Sequence, residues 1–370
     1  MSDDRGAILN TDVAVVGGGP AGAAAAITIV GAGPRATLIE ASRYDRQRIG
    51  ETLPPSAWPL LAHLDGRLEQ RVGANVAIPC HGVASAWSGK EIERRSFIFD
   101  AHGHGWHLDR RRFDSSLAGA AADLGVTVLE GQPVIHCELC RSGDWRLELR
   151  DGTVISSLAV IDATGRSARI GRLLGARRRV LDHLVGVFVR YRSNRPADAY
   201  LLIESEPNGW WYSAPLPGNE MIVVFMTDAD LCRRYGWRDR RTWSLRLAAT
   251  CHTSARVRGY EAESGPMILP AISQRLERGG TAGRWLAAGD AALAADPLSF
   301  SGITRALSMG KTAGRIMCHW LLGREQAVVD YEHWLDEQFV EYMRERHTNY
   351  SMVSQWPEAP FWKRRSDERA

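Results

Sequence analysis

The chain has 370 residues, 45% hydrophobic and 24% charged, with a formal net charge of +3. That is ordinary globular composition, long enough for one large domain or two interleaved ones. The charge gives no reason to expect a nucleic-acid partner, and no apolar run reaches the ~20 residues of a membrane span. The polar opening MSDDRGAILN is unlike a secretory leader, so a cytoplasmic location is the default expectation. Six cysteines are scattered through a chain too large to need disulfide staples. Lysine occurs only at Lys90, Lys311 and Lys363, so few positions could support lysine-dependent chemistry.

In chain order, TDVAVV (residues 11–16) reads as a buried strand. Gly17-x-Gly19-x-x-Gly22, with Pro20 and Ala21 between, then opens an Ala-rich helix. Gly17 permits the tight turn, Gly19 lets backbone approach a pyrophosphate, and Gly22 lets helix and strand pack closely. The helix N-terminus offers free N–H groups and a positive dipole end. A second strand, ATLIE, ends in Glu40, a carboxylate placed to hydrogen-bond a ribose diol. In RIGETLPPSAWPLL (48–61), Pro54-Pro55 reads as a rigid turn before a helix. FDAHGHGWHLDR carries His102, His104 and His107. In a strand the first two share a face and the third does not, and no further ligand completes a metal set, so no metal is assigned. His104 is taken as a hydrogen-bond donor or general base at a pocket edge, the alternative being a polar turn between strands. Cys137 and Cys140 alternate along a strand, VIHCELC, rather than form a redox or zinc pair. LVGVFVRYR, AYLLIES, GWWYSAPLPG and EMIVVFMTD predict an antiparallel sheet, with a hairpin turning at Pro-Gly-Asn. RWLAAGDAALAADPLSFSGITRALSMG (284–310) reads as a strand, Gly289-Asp290, a loop and a helix from near Gly302. The remainder is helical, then a polar tail spotted with aromatics.

The segment 284–310 resembles the second FAD signature of the p-hydroxybenzoate hydroxylase type of flavoprotein. In that family the Asp of G-D contacts the ribityl chain, and the following Pro and Gly-rich loop carries the isoalloxazine ring; Asp290, Pro297, Ser301, Gly302 and Ile303 match here. DRRRFDSSL matches the pattern D-R-x-x-F-D-x-x-L, which makes Arg110 the implied contact to ribose or pyrophosphate, with Asp114 on the second acidic position. VIDATGRSARIG matches the strand ending in A-T-G, with Asp162, Thr164 and Gly165. Arg48, Glu51 and Thr52 belong to a G-E-T segment resembling that of flavin-dependent halogenases, where it lies beside the flavin ring. GWWYSAP falls where tryptophan halogenases carry W-x-W-x-I-P; Trp210 and Pro215 match, Tyr212 and Ala214 differ. The lysine that those halogenases use to handle hypohalous acid has no good counterpart, since Lys90 comes late in a polar, turn-like stretch. Together GETLPPSAWPLL, SAW, GWWYSAPLPG, DPLSFSGITRAL and PFWKRR are most similar to a halogenase-like branch containing the flavoprotein maturases of quinone-cofactor lysine ε-oxidase and glycine oxidase.

The resemblance implies an α/β fold: a Rossmann-like, glutathione-reductase-type FAD domain with an inserted antiparallel β-sheet and a helical C-terminus. The implied divisions are a discontinuous FAD domain of residues 1–80, 106–178 and 280–345, a substrate-binding sheet domain of 81–105 and 179–279, and a tail of 346–370. It implies non-covalent FAD and, because no second G-x-G-x-x-G follows a strand, NAD(P)H only as a transient reductant or an external reductase. The implied reaction is hydroxylation of an indole-type ring through a flavin C4a-hydroperoxide. The ring belongs to a free aromatic molecule or to a tryptophan of a partner oxidase during tryptophylquinone maturation. Trp210, Trp211 and Tyr212 are expected as pocket walls, with Glu51, His104, Trp210 and Tyr212 as the residues nearest the chemistry. Halogenation of an aromatic substrate is the first alternative, and a reduction of the geranylgeranyl-reductase kind the second.

Overall fold

The computed structural model describes residues 8–73, 75–193, 198–277 and 283–366. The polar opening residues 1–7, the expected third FAD-domain boundary at 280 and the last four residues of the tail lie outside the described residues. Strands Thr127–Glu130, Ala36–Glu40, Ile8–Val16, Val154–Asp162 and Trp285–Ala287 lie side by side and parallel. Val13, Ala14 and Val15 are fully buried, which explains the unbroken apolar run: both faces of this sheet are covered. One cover is the helix Pro20–Gly31, nearly all of whose residues are buried. It is sandwiched between the sheet and the long helix Gly302–Leu321. The close contact depends on Gly310, where a Cβ would stand 2.0 Å from the Ala21 carbonyl oxygen. VIHCELC forms the strand Val134–Leu139 in an antiparallel meander on the same sheet, with Cys137 buried and unpaired.

The second sheet runs in the order Glu261–Ala262, Leu184–Arg192, Glu220–Asp228, Gly209–Leu216, Tyr200–Glu206, Gly82–Ala86, Glu93–Ser96. It is antiparallel except between Tyr200–Glu206 and Gly82–Ala86, which pair in parallel. That exception has a chain-path cause: Gly82–Ala86 enters this sheet far earlier in the chain than Tyr200–Glu206 and is not joined to it by a hairpin. Gly209–Leu216 and Glu220–Asp228 do form the expected hairpin, with Gly218 and Asn219 at positive φ in the turn. At its centre both faces are buried in separate apolar clusters, so Leu184–Arg192, Gly209–Leu216 and Glu220–Asp228 are apolar over most of their length, while the outer strand Glu93–Ser96 is exposed and charged.

The expected tail is not free. The helix Gln326–Ser351 runs into it, and Pro360–Ser366 forms a further helix with Phe361 and Trp362 buried against the second sheet. Its aromatic spots supply the apolar area that docks it. The contact at Gly310 sets a clean test. Gly310→Ala is expected to lower stability by about 1–3 kcal/mol in urea denaturation, because the added methyl meets backbone. Gly31→Ala, with nothing within 4 Å of the new Cβ, is expected to be neutral or stabilising by about 0.5 kcal/mol.

Candidate active site

A cleft of about 600 Å³ opens at the carboxyl ends of the parallel strands and is roofed by the second sheet. This is where open parallel sheets bind ligands. Gly17, Gly19, Pro20 and Ala21 line one end. Gly17 sits at φ 110, where any Cβ would meet the Ala163 carbonyl at 2.2 Å. Gly22 does not line the cleft; its missing side chain lets the helix close on Gly17. Gly19 is the extended N-cap, with Pro20 at the first helical position. The first-turn amides therefore face the cleft with little side chain before them, a cradle suited to a pyrophosphate.

Four charged groups build the floor beside that loop. Glu40 accepts from the Gly18 amide at 2.7 Å, from Ser42 N and Oγ at 2.9 and 2.6 Å, and from Arg48 at 2.9 Å. Arg48 also meets Asp114 at 2.6 Å. Arg110 binds the same carboxylate at 3.1 Å through both Nε and Nη2, and donates to the Ile49 and Gly50 carbonyls at 3.0 Å. Asp114 is fully buried, so two arginines must neutralise it. Asp114 thus ties the G-E-T segment to the first helix turn of DRRRFD, a link that motif matching left without a role. Glu40, Arg48 and Arg110 line the cleft and leave acceptor and donor capacity facing it.

Farther along, Gly165, Asp290, Pro297, Gly302 and Ile303 line the cleft. The helix Gly302–Leu321 points its N-terminus there, a second set of free amides. These features, with Glu40 and the glycine cradle, fit an FAD molecule laid across both helix ends. Arg166, whose position after A-T-G was its only sequence signal, also lines the cleft and pairs with Asp290 at 3.3 Å. Phe300, which the motifs did not single out, lines it in a left-handed conformation, φ 48.

Several expected contacts are not in the cleft. Asp162 is buried, and its oxygens accept from Thr164 N, Thr164 Oγ1 and Gly171 N at 3.0, 2.6 and 2.8 Å. It shapes the turn that presents Gly165. Gly289 packs its backbone against Ala21, and Ser301 is the N-cap that accepts from Arg305 at 2.9 Å. His104 is exposed and packs on Trp106 outside the cleft. Strand pairing starts only at Gly105, opposite Cys80, which leaves His102 and His104 in a turn. Trp210 shares Tyr212's face but is fully buried behind it, donating to the Tyr350 hydroxyl at 3.2 Å. Trp211 points the other way, into a cluster with Phe225, Trp237 and Trp243. The two-residue period of a strand forbids Trp210 and Trp211 from sharing a wall.

The wall is instead Gly186, Leu201, Tyr212, Val224 and Met226, with Phe300 among the other lining residues. Thr52 and Glu51 line the same region. Thr52 Oγ1 lies 3.2 Å from His107 Nδ1, and burial next to Arg256 pushes His107 down to about 3, so it is neutral. Glu51 is only 2% exposed. The Gly50 amide donates to its Oε2 at 3.1 Å, while Oε1 has no partner among the described residues. Burial pushes Glu51 up to about 6, and its charge adds to the burial that holds Tyr212 well above its ordinary value.

Residues 69–369 match the family described as tryptophan halogenase. The chain is 30% identical over 362 residues to LodB of Marinomonas mediterranea, named as an FAD-dependent oxidoreductase, covering 96% of each. Among solved structures it superposes on the flavin-dependent halogenase CmlS with a TM-score of 0.84 at 24% identity, covering 98% of this chain and 68% of that one. The peptidyl tryptophan dihydroxylase QhpG, essential for tryptophylquinone cofactor biogenesis, gives 0.74 at 24% identity, with 98% and 80% covered. At these identities the two structures establish the fold.

Glu51 makes stability depend on pH. The ordinary value is 4.5 and the folded value about 6, so the native state keeps a proton that the unfolded chain releases. This group's stabilisation is complete below pH 4.5 and lost as pH rises through 6, about 2 kcal/mol in all. Urea denaturation of Glu51→Gln is expected to show that loss abolished; an unchanged pH slope would mean that Glu51 titrates as an ordinary carboxyl.

Proposed function

This chain belongs to the tryptophan halogenase family and is an FAD-dependent oxidoreductase; from that premise we propose that it hydroxylates an indole-type ring, a tryptophan of a partner protein above all. The observation that carries this reading is the make-up of the cleft: none of its lining residues is a lysine. Lys90 is exposed in a turn, its carbonyl accepting from His252, and Lys311 and Lys363 stand elsewhere. The amine that halogenases use to handle hypohalous acid is therefore missing where halogenation needs it. The likeness to a peptidyl tryptophan dihydroxylase supports oxygen insertion.

In this reading the amides of Gly19 and Ala21 would hold the FAD pyrophosphate, with Arg48 and Arg110 beside them, and Glu40 would accept from the ribose diol. Asp290 and the amides of Gly302 and Ile303 hold the flavin half. When bound and reduced, FAD supplies the means of activating oxygen. The chain's own residues bind and orient the ring against Gly186, Val224, Met226 and Phe300, and this apolar lining excludes water. Tyr212 keeps its proton at working pH and donates a hydrogen bond. Each hydroxyl delivered to a ring carbon displaces that carbon's hydrogen as a proton. Glu51, ionised above about pH 6, accepts it as a carboxylate matched to neutral pH. NAD(P)H, as a visiting reductant, or a separate reductase supplies electrons, in the cytoplasm.

The test supplies reduced protein with heavy-isotope oxygen gas and either free indoles or a co-expressed quinone-cofactor oxidase. The expected product carries the mass of one or two labelled oxygens. Glu51→Gln is expected to slow its formation about a hundredfold, and Lys90→Ala to leave it within twofold. A brominated product formed with bromide present, and lost in Lys90→Ala, would replace this reading by halogenation.

A further inference from the structure

Four stretches set apart in the sequence meet at one place that the proposed chemistry does not use. They are SAW (Trp87), GWWYSAP (Trp210), DPLSF (Asp296) and PFWKRR (Phe361, Trp362 and Arg365). Their side chains surround Tyr350, the penultimate residue of the helix Gln326–Ser351. Trp87 lies edge-on to Trp210 and Trp362, with centroids at 6.0 and 5.5 Å. Phe361 and Trp362 pack on Tyr350 at 6.1 and 6.0 Å. Arg365 covers the Tyr350 ring at 5.0 Å while paired with Asp228 at 2.8 Å. Two indole donors staple the box to backbone, Trp87 to the Asn349 carbonyl at 2.8 Å and Trp362 to that of Glu206 at 2.9 Å.

The polar centre of this box is the Tyr350 hydroxyl. It accepts from Trp210 and donates to Asp296 Oδ2 at 2.7 Å. Asp296 lines the cleft yet is only 1% exposed. Its other oxygen, Oδ1, accepts from the Leu298 amide at 2.9 Å, and its own amide donates to the Tyr342 hydroxyl at 3.0 Å. That carboxylate starts the turn Pro297–Ser299, after which Phe300 takes its left-handed φ with its side chain on the cleft. A non-glycine residue holds such a conformation only when its surroundings over-determine it. Of the two Asp296 oxygens, one shapes the turn and the other is anchored by Tyr350.

We propose that Tyr350 and Asp296 form a positioning pair through which the docked C-terminal helix sets the Pro297–Phe300 wall of the cleft. The C-terminal segment is then a working part of the site. Neither residue touches the reacting atoms in this arrangement; they act through the turn. The inference rests on the reading that this cleft holds FAD.

The test compares wild type, Tyr350→Phe, Asp296→Asn and the double variant, each as the full chain. FAD affinity is read by fluorescence titration of the apoprotein, together with the visible spectrum of the bound flavin. Tyr350→Phe removes one hydroxyl and leaves a buried acceptor unpaired, so FAD is expected to bind about tenfold more weakly, with a shifted flavin band. Near-ultraviolet circular dichroism of the apoprotein should keep its wild-type form. The double variant should be no worse than the more impaired single, because the two residues act as one unit. Wild-type affinity and spectrum in both singles, or fully additive losses, would overturn the pair. Should Tyr350→Phe fail to fold, Asp296→Asn alone decides by the same two readouts. A wild-type apoprotein that takes up no FAD would sink the reading of the cleft itself, and the pair with it.

Discussion

The cleft depends on how tightly the helix Pro20–Gly31 is wedged between the parallel sheet and the helix Gly302–Leu321. Backbone meets backbone on both sides, at Gly17 and Gly22 toward the sheet and at Gly310 toward the long helix. Only with side chains absent at these points do two helix N-termini face one cleft. Free amides and dipole ends then face the cleft, an arrangement suited to an anion. Arg48 and Arg110 line the same end of the cleft while closing on the buried Asp114.

Charge is handled differently at the two ends of the cleft. At the end beside the glycine loop, Glu40 is satisfied by arginine, serine and backbone donors, and Asp114 by two arginines. At the end under the second sheet, Glu51 is buried with one oxygen lacking a hydrogen-bond partner among the described residues, and burial moves it to about 6. The first arrangement suits a polar ligand. The second keeps a titratable group near neutrality next to an apolar wall, which is where perturbed groups mark chemistry.

The C-terminal residues show how local reading underestimates long-range packing. PEAPFWKRRSDERA is polar overall and looked like a tail, yet Phe361 and Trp362 are buried and Arg365 is 3% exposed. A charged side chain becomes legible as buried only when its partner is known, and Asp228 lies far back in the sequence. The same holds for Asp114, which the D-R-x-x-F-D pattern included without revealing that it bridges two arginines.

Sequence alone determined the parallel-sheet domain, the glycine loop, the carboxylate at Glu40 and the G-D turn with its helix. These are local features, in which one short stretch carries both the backbone geometry and the residues that need it. It also determined the hairpin at Pro-Gly-Asn, because turn chemistry is local. Tertiary structure decided which residues face the cleft. Motif membership placed Asp162, Ser301 and Trp210 near the ligand, and side-chain chemistry placed His104 there. Strand period, the first paired residue and the docking of distant helices moved each of them behind or beside the wall. Orientation depends on which face a neighbour buries, and that neighbour is 140 residues away for Trp210 and 54 for Asp296, so it is written in no single stretch of the chain.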